Sequence, residues 1–166
     1  MDKEKTLRIL KEAYQMEGEG AFYYDLLAKN SKDSEAKESF FHLMEEEIKH
    51  QEFLIEQIHT ITVTGRLDLS LIALTECPQG ESLFQKTFKN INQTTESIVS
   101  ALHIAIMLEK NSFDYYENAA KQSTEIGEKS IYNNLAEWEK RHLNDLNDAY
   151  EMTRDQIFID ERFSPY

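Results

Sequence analysis

The sequence predicts an all-α protein, a four-helix bundle of two repeated αα-hairpins joined by a long crossover. Only five Gly and two Pro occur in 166 residues, so the turns that an all-β chain needs are scarce. Four segments place apolar residues at alternating steps of three and four, which is the period of one helix face. The two halves of the chain also match each other at a constant offset of 92 residues.

The first hairpin is predicted from two such faces with a polar turn between them. The first helix is expected to run roughly from residue 3 to residue 30, and residues 30–34 are rich in turn and capping residues. The second helix is expected to end near residue 61. The two faces consist of Leu7, Leu10, Tyr14, Glu17, Ala21, Tyr24 and Ala28 in the first helix, and of Phe40, Leu43, Glu47, His50, Leu54 and Ile61 in the second.

Residues 62–93 interrupt the pattern and predict the crossover. Turn-like segments lie at 62–65, 77–80 and 90–95, and the stretches DLSLIAL and ESLFQKTF between them are expected to form short helical pieces. A connection of this length allows the third long helix to run parallel to the second.

The second hairpin has the same kind of faces and completes a bundle that is expected to occupy residues 1–155. The final residues, 156–166, contain aromatic side chains with weak periodicity and are predicted to be a tail that packs on the bundle or on a partner. The two faces consist of Leu102, Ala105, Glu109, Ser112, Tyr116 and Ala119 in the third helix, and of Tyr132, Leu135, Glu139, His142, Leu146 and Ala149 in the fourth.

The offset of 92 residues relates chemically important positions as well as core positions. Related αα-hairpins with so many shared positions are expected to pack about a pseudo-twofold axis. The matching pairs are Glu17 with Glu109, Tyr24 with Tyr116, Glu47 with Glu139, His50 with His142, Leu43 with Leu135 and Leu54 with Leu146.

The composition excludes several classes of partner and site. A formal charge of −13 repels nucleic acid and anionic membranes, so neither is expected as a partner. Cys77, the only cysteine, permits no internal disulfide and no paired-cysteine metal site, and we expect it to be a packing residue in a loop. The N-terminus lacks a signal-peptide core and no apolar run is long enough to span a bilayer, so we expect a soluble cytoplasmic protein.

Six polar residues occupy inward positions where a plain bundle needs apolar side chains. Buried carboxylates are costly unless they are paired or bind cations, and two divalent cations would neutralise four of them. In Glu47-x-x-His50 and Glu139-x-x-His142 both side chains can reach one ion, and each pair lies 30 residues after the glutamate of its own hairpin. Carboxylates and imidazoles suit Fe, Mn or Zn. The predicted ligands are Glu17, Glu47, His50, Glu109, Glu139 and His142.

Other residues of the same types are interpreted differently. A third Glu-x-x-His, Glu56 with His59, falls on the opposite face of the second helix and is expected to be solvated. His42 and His103 are predicted to be surface or packing residues. The sequence does not decide in which direction Trp138 points.

Two tyrosines each follow a predicted ligand by seven residues, two turns along the same face. Tyr24 and Tyr116 are expected either to donate hydrogen bonds to metal-bound carboxylates or simply to pack in the core. The small residues Gly20, Ala105 and Ser112 near the site are expected to leave space for a small molecule.

The segments MEGEGAFYYDLLA (16–28), EEEIKH (45–50), LEKNSFDYYENAA (108–120) and EWEKRH (137–142) resemble the rubrerythrin branch of the ferritin-like superfamily, over roughly residues 5–152. The resemblance implies a ferritin-like bundle with a carboxylate-bridged pair of metal ions, typically two Fe. Ser112 stands where members with peroxidase activity usually have a second Glu, and Gly20 is the corresponding position of the first helix. The four-cysteine rubredoxin domain that many members carry is not in this sequence, so a separate electron-donor protein is expected.

The function that follows from the ligand set and the resemblance is a non-haem di-iron oxidoreductase that reduces peroxide or O₂. The alternatives are a ferroxidase that stores or transfers iron, and a non-catalytic helical module with a structural metal pair. Hydroxylation of an organic substrate is a fourth possibility. A homodimer or higher oligomer is also expected.

Overall fold

The computed structural model describes residues 2–74, 82–89 and 96–163. All regular secondary structure in these ranges is helical, which confirms the all-α prediction. No helix in the described ranges combines the length and the apolar character needed to cross a membrane. The six helices are α1 Lys3–Asn30, α2 Ser34–Thr64, α3 Ser70–Leu74, α4 Leu83–Phe88, α5 Glu96–Gln122 and α6 Ile126–Phe163.

Helices α1 and α2 form the first hairpin, and local capping explains its limits. The Asp2 carboxylate caps α1 by accepting a hydrogen bond from the amide of Lys5, and Asp33 caps α2 through the amides of Glu35 and Ala36. Gly65, in the left-handed region at φ 73°, ends α2 three residues beyond the expected limit near 61.

The described part of the crossover contains the two short helices α3 and α4. Ser82 caps α4, whose Phe84 and Phe88 are buried and lie with ring centroids 6.4 Å from that of Phe40 in α2. Helix α4 therefore packs on α2, and it also contacts α6. The expected turns at 77–80 and 90–95, together with Cys77, lie outside the described residues.

Helices α5 and α6 form the second hairpin, and α1 packs against α5 to join the two hairpins. The helices α1 and α6 are also linked, because the Thr6 hydroxyl donates a buried hydrogen bond of 2.6 Å to Glu128 Oε1. Helix α6 continues to Phe163, so residues 156–163 of the expected tail extend this helix.

The core consists of two apolar clusters at opposite ends of the bundle. Helices α1 and α6 pass from the first cluster to the second along the chain, whereas α2 and α5 pass from the second to the first. Helices α2 and α5 therefore run in the same direction, as the long crossover requires. The first cluster includes Leu10, Phe53, Leu54, Tyr116, Ile131, Leu135 and Trp138, and the second includes Tyr24, Phe40, Leu43, Phe84, Leu102 and Leu146.

Tyr14 is the exception among the predicted inward residues of α1. Its side chain is 38% exposed, whereas Ala13 beside it is fully buried. The packing of the bundle turns α1 so that Thr6, Ala13 and Tyr24 are buried together with Leu10 and Glu17, which leaves Tyr14 at the margin of the inward face. The prediction that Tyr14 faces the core is therefore wrong.

Candidate metal centre

A polar layer separates the two apolar clusters at mid-height of the bundle. All four long helices contribute to it, and each residue in it is at most 6% exposed. The layer brings together the six predicted ligands: Glu17 from α1, Glu47 and His50 from α2, Glu109 from α5, and Glu139 and His142 from α6.

The ring of His50 directs its Nδ1 atom into a group of carboxylates. This nitrogen lies 3.0 Å from Glu17 Oε2, 3.2 Å from Glu139 Oε1 and 3.6 Å from Glu47 Oε2. The acidic oxygens around this one imidazole nitrogen therefore come from three helices. Glu47 can take part because its spacing of three residues from His50 keeps both side chains on one face of α2.

His142 has an equivalent environment in the other half of the layer. Its Nδ1 atom lies 2.9 Å from Glu47 Oε1 and 3.4 Å from Glu109 Oε2. The carboxylate of Glu47 thus directs one oxygen toward each histidine. One ligand atom from each of Glu47, His50, Glu139 and His142 can be chosen so that all four lie within 4.8 Å of one another, which is compact enough to hold a metal ion.

Two tyrosines hold the remaining carboxylates across the interface between α1 and α5. The Tyr24 hydroxyl on α1 donates to Glu109 Oε1 on α5, and the Tyr116 hydroxyl on α5 donates to Glu17 Oε1 on α1. Both phenols are completely buried. Of the two roles expected for Tyr24 and Tyr116, the structure therefore has the hydrogen bond to a carboxylate of the layer.

Several buried atoms of the layer face one another without hydrogen bonds of good geometry, even where, as between His142 Nδ1 and Glu47 Oε1, they lie 2.9 Å apart. They are Glu47 Oε1, Glu109 Oε2, Glu139 Oε1 and His142 Nδ1. Such orphaned atoms are costly in a protein interior unless another group satisfies them. All four face the same cluster and are of types that bind divalent transition metals, so the residues fit a metal pair.

The electrostatics of the layer also favour cations. Burial and the charge of Glu47 raise the pKa of Glu17 to about 8, although His50 acts in the opposite direction. Burial, Glu17 and Glu47 likewise raise the pKa of Glu139 well above its usual range. Two divalent ions would replace the protons that these carboxyl groups otherwise retain.

The histidines respond to the same negative charge. Burial alone would lower their pKa values, but Glu47, Glu139 and Glu17 raise the pKa of His50 well above its usual range. Burial also lowers the pKa of His142, but the charge of Glu109 outweighs it and raises this pKa well above its usual range. In return, the two histidines lower the pKa of Glu47 well below its usual range despite burial.

Two residues contact the histidines from outside the layer: Glu46, which sequence reasoning missed, and Trp138, whose direction the sequence left open. Glu46 Oε2 lies 2.9 Å from Nε2 of His142, and the indole of Trp138 stacks on His50 with ring centroids 4.5 Å apart and planes 11° apart. The sequence did contain a signal for them. Glu46 and Trp138 directly precede the predicted ligands Glu47 and Glu139, and they are related by the same offset of 92 residues.

The other histidines lie away from the centre. Glu56 and His59 are exposed, which confirms the solvated interpretation of the third Glu-x-x-His. His103 is exposed beside Tyr150, and His42 is half-buried with its ring nitrogens 3.7 Å from Glu38 and Glu45 on its own helix. These placements agree with the predicted surface or packing roles.

Gly20 lies directly over the layer. A methyl group built at its Cα would approach the Cγ, Cδ and Oε2 atoms of Glu47 to 3.4 Å, and the residue is half-buried. Ser112, the matching residue of α5, is half-buried too, whereas Ala105 is fully buried. A side chain at position 20 would therefore come into contact with the Glu47 carboxylate.

Comparison with known proteins gives one family. The family model described as rubrerythrin matches residues 8–150, which is most of the chain. No curated protein and no solved structure matches.

Proposed function

Since the chain belongs to the rubrerythrin family, we propose that it is a non-haem di-iron oxidoreductase that reduces peroxide or O₂ with electrons from a separate donor protein. The observation that carries the proposal is the buried layer of four carboxylates and two imidazoles, whose unsatisfied atoms face one another. Oxygen and imidazole donors of this kind suit iron, manganese and zinc, and iron is the metal that we propose.

The distances suggest how the residues would divide the two ions. Glu17 lies nearest to His50 and Glu109 lies near His142, so each pair would hold one ion. Glu47 reaches both histidines and would be shared between the ions. Glu139 is its counterpart at the offset of 92 residues and would be shared in the same way.

When bound, two ferrous ions would supply the two electrons that reduction of a peroxide requires. The protein's part is to fix the ligands and to limit water around them. Burial, together with Glu109 and Glu17 respectively, raises the pKa of Tyr24 and of Tyr116 well above the usual range. Both phenols therefore remain protonated donors at physiological pH and hold the two outer carboxylates in place.

Access for a small oxidant is supported by the residues at Gly20 and Ser112. Neither offers a large side chain, and the contact distance at Gly20 is short enough that a larger residue would press on Glu47. Small side chains at these two positions leave more room for a small oxidant than large side chains would.

The first test is the metal content of the protein after anaerobic loading with ferrous iron. We expect about two irons per chain in the wild type and a loss of both in Glu47→Ala/Glu139→Ala, since this double variant removes the shared carboxylates. The matched control is Glu56→Ala/His59→Ala, which deletes the same motif from an exposed face and should retain both irons. Absence of iron from the wild type would contradict the proposal.

The second test is the rate at which the reduced, iron-loaded protein consumes peroxide and O₂. The proposed activity requires faster consumption than the same concentration of free ferrous iron gives, and the Glu47→Ala/Glu139→Ala variant should fall to the free-iron rate. If hundreds of irons accumulated in a large assembly instead, the same layer would serve iron storage, and the proposed oxidant reduction would not be its main role.

A further inference from the structure

The two halves of the polar layer differ at one pair of equivalent positions. The residue before the shared carboxylate is Glu46 in α2 and Trp138 in α6, 92 residues apart. Each reaches the histidine of the other hairpin, Glu46 reaching His142 and Trp138 reaching His50. Equivalent positions therefore place different chemistry behind the two histidines.

Behind His142 the contact is a carboxylate. Glu46 Oε2 lies 2.9 Å from Nε2 of His142, while Nδ1 of the same ring faces Glu47 and Glu109. The Glu46 side chain is only 24% exposed, which keeps this contact largely away from water. A metal bound at Nδ1 would leave the Nε2–H group to donate to Glu46, an arrangement that orients a histidine ligand and makes it a stronger donor.

Behind His50 the contact is aromatic. The Trp138 indole stacks on the face of the His50 ring, and Phe53 packs edge-on against Trp138 at 5.2 Å. An indole N–H group is a donor only, so Trp138 cannot accept a hydrogen bond from an imidazole N–H. At the position equivalent to Glu46, this half therefore has an indole in place of a carboxylate.

A second pair of equivalent positions also has a carboxyl group in one half and an aromatic ring in the other. Phe53 corresponds to Asp145, which lies one turn after His142 on α6 and is 6% exposed. Its carboxyl group interacts both with Ser82 at the start of α4 and with His142. At these two pairs of equivalent positions, the half that contains His142 has the carboxyl groups of Glu46 and Asp145. The half that contains His50 has the aromatic rings of Trp138 and Phe53.

We propose that Glu46 makes the position at His142 the tighter of the two metal positions, so that two divalent ions bind in order, at His142 first and at His50 second. The inference rests on the proposed two-metal function and adds to it a fixed order of binding. Removal of a carboxylate behind a ligating histidine typically weakens metal affinity about 10- to 100-fold, and we expect a difference of that size.

The chain contains its own reporter for this order. Trp138 is the only tryptophan and lies on His50, so its fluorescence should respond most strongly to an ion bound at that half. Metal-free protein would be titrated anaerobically with Co²⁺, with the absorbance of bound Co²⁺ and the tryptophan fluorescence recorded together. We expect absorbance to rise through two equivalents while most of the fluorescence loss occurs during the second.

Glu46→Gln tests the residue itself, because it keeps the size of the side chain and removes the charge. We expect this variant to bind the first Co²⁺ about 10- to 100-fold more weakly, with fluorescence falling in proportion to absorbance from the start. Glu45→Gln is the matched control, since it makes the same charge change at the next residue, whose side chain is 46% exposed and lies by His42. Circular dichroism would confirm that both variants retain the helical fold.

The outcomes separate this inference from the proposed function. The wild type could bind two ions while its fluorescence loss stays proportional to its absorbance gain throughout the titration. That result would overturn the order of binding alone. Identical behaviour of Glu46→Gln and Glu45→Gln would overturn the role of Glu46. Failure of the wild type to bind Co²⁺ at all would overturn both the metal function and the order.

Discussion

At the scale of single residues, two pairs of neighbouring tyrosines separate the chemistry of the layer from ordinary packing. Tyr24 and Tyr116 donate to carboxylates of the layer. Tyr23 instead donates to the carbonyl oxygen of Ala101 at 3.0 Å, and Tyr115 donates to Glu12 at 2.7 Å. The chain therefore provides a control tyrosine beside each tyrosine of interest.

Replacement of Tyr24 or Tyr116 by Phe should weaken metal binding about 10- to 100-fold, because each change removes the donor that holds one outer carboxylate. Binding constants for Mn²⁺, measured by calorimetry, would check this. Tyr23→Phe and Tyr115→Phe remove hydroxyls that do not reach the layer and should bind Mn²⁺ as the wild type does. Equal effects in both pairs would mean that the buried hydroxyls act through general packing.

At the scale of secondary-structure elements, the bundle depends on the contacts that hold its two hairpins together. The antiparallel helices α1 and α2 pack closely on each other, as do α5 and α6, whereas the backbones of α1 and α5 approach each other closely at far fewer positions. The hydrogen bond from Thr6 to Glu128 adds a link between α1 and the first turn of α6. Glu128 is 8% exposed, so this link lies in a region largely closed to water.

Thr6→Val should reduce the free energy of unfolding by about 1–3 kcal/mol, since it leaves a buried carboxylate oxygen without its donor. Denaturation by urea, followed by circular dichroism, would measure the change. Thr62→Val is the control, because Thr62 is exposed and its hydroxyl bonds only to the Ile58 carbonyl of its own helix. A loss no larger than that of the control would show that water replaces the Thr6 hydroxyl without cost.

At the scale of the whole molecule, the polar layer sets how stability depends on pH. Glu17 has a pKa raised to about 8, so in the metal-free protein it holds a proton between about pH 4.5 and 8 that the unfolded chain releases. His50 and His142 also have raised pKa values, and the stability that they contribute is lost as the pH rises above the unfolded value of 6.5. Both effects favour unfolding as the pH rises.

The metal-free protein should therefore have a melting temperature that falls between pH 5 and pH 8. Divalent ions replace the retained protons, so the rise in melting temperature on adding Mn²⁺ should grow over the same range. Calorimetry at several pH values would test both trends. Glu17→Gln removes the carboxyl group with the pKa near 8 and should flatten the metal-free slope, and an unchanged slope would contradict this assignment.

Much of this molecule follows from the sequence by itself. The helices, the parallel direction of α2 and α5 and the inward position of the six polar residues are encoded by local periodicity and by the offset of 92 residues, because both depend on the fixed geometry of a helix. The burial of Tyr24 and Tyr116 belongs to the same category, since each lies on the face of its glutamate.

Only the tertiary structure decided what depends on distances between helices. The sequence does not reveal that Tyr24 bonds to the glutamate of the other hairpin, that Ala13 rather than Tyr14 faces the core, or that Glu46 and Trp138 reach opposite histidines. Helical period fixes the face on which a side chain lies only to within a fraction of a turn. The neighbour that it meets is fixed by the rotation and packing of the helices across the bundle, which no single segment of sequence specifies.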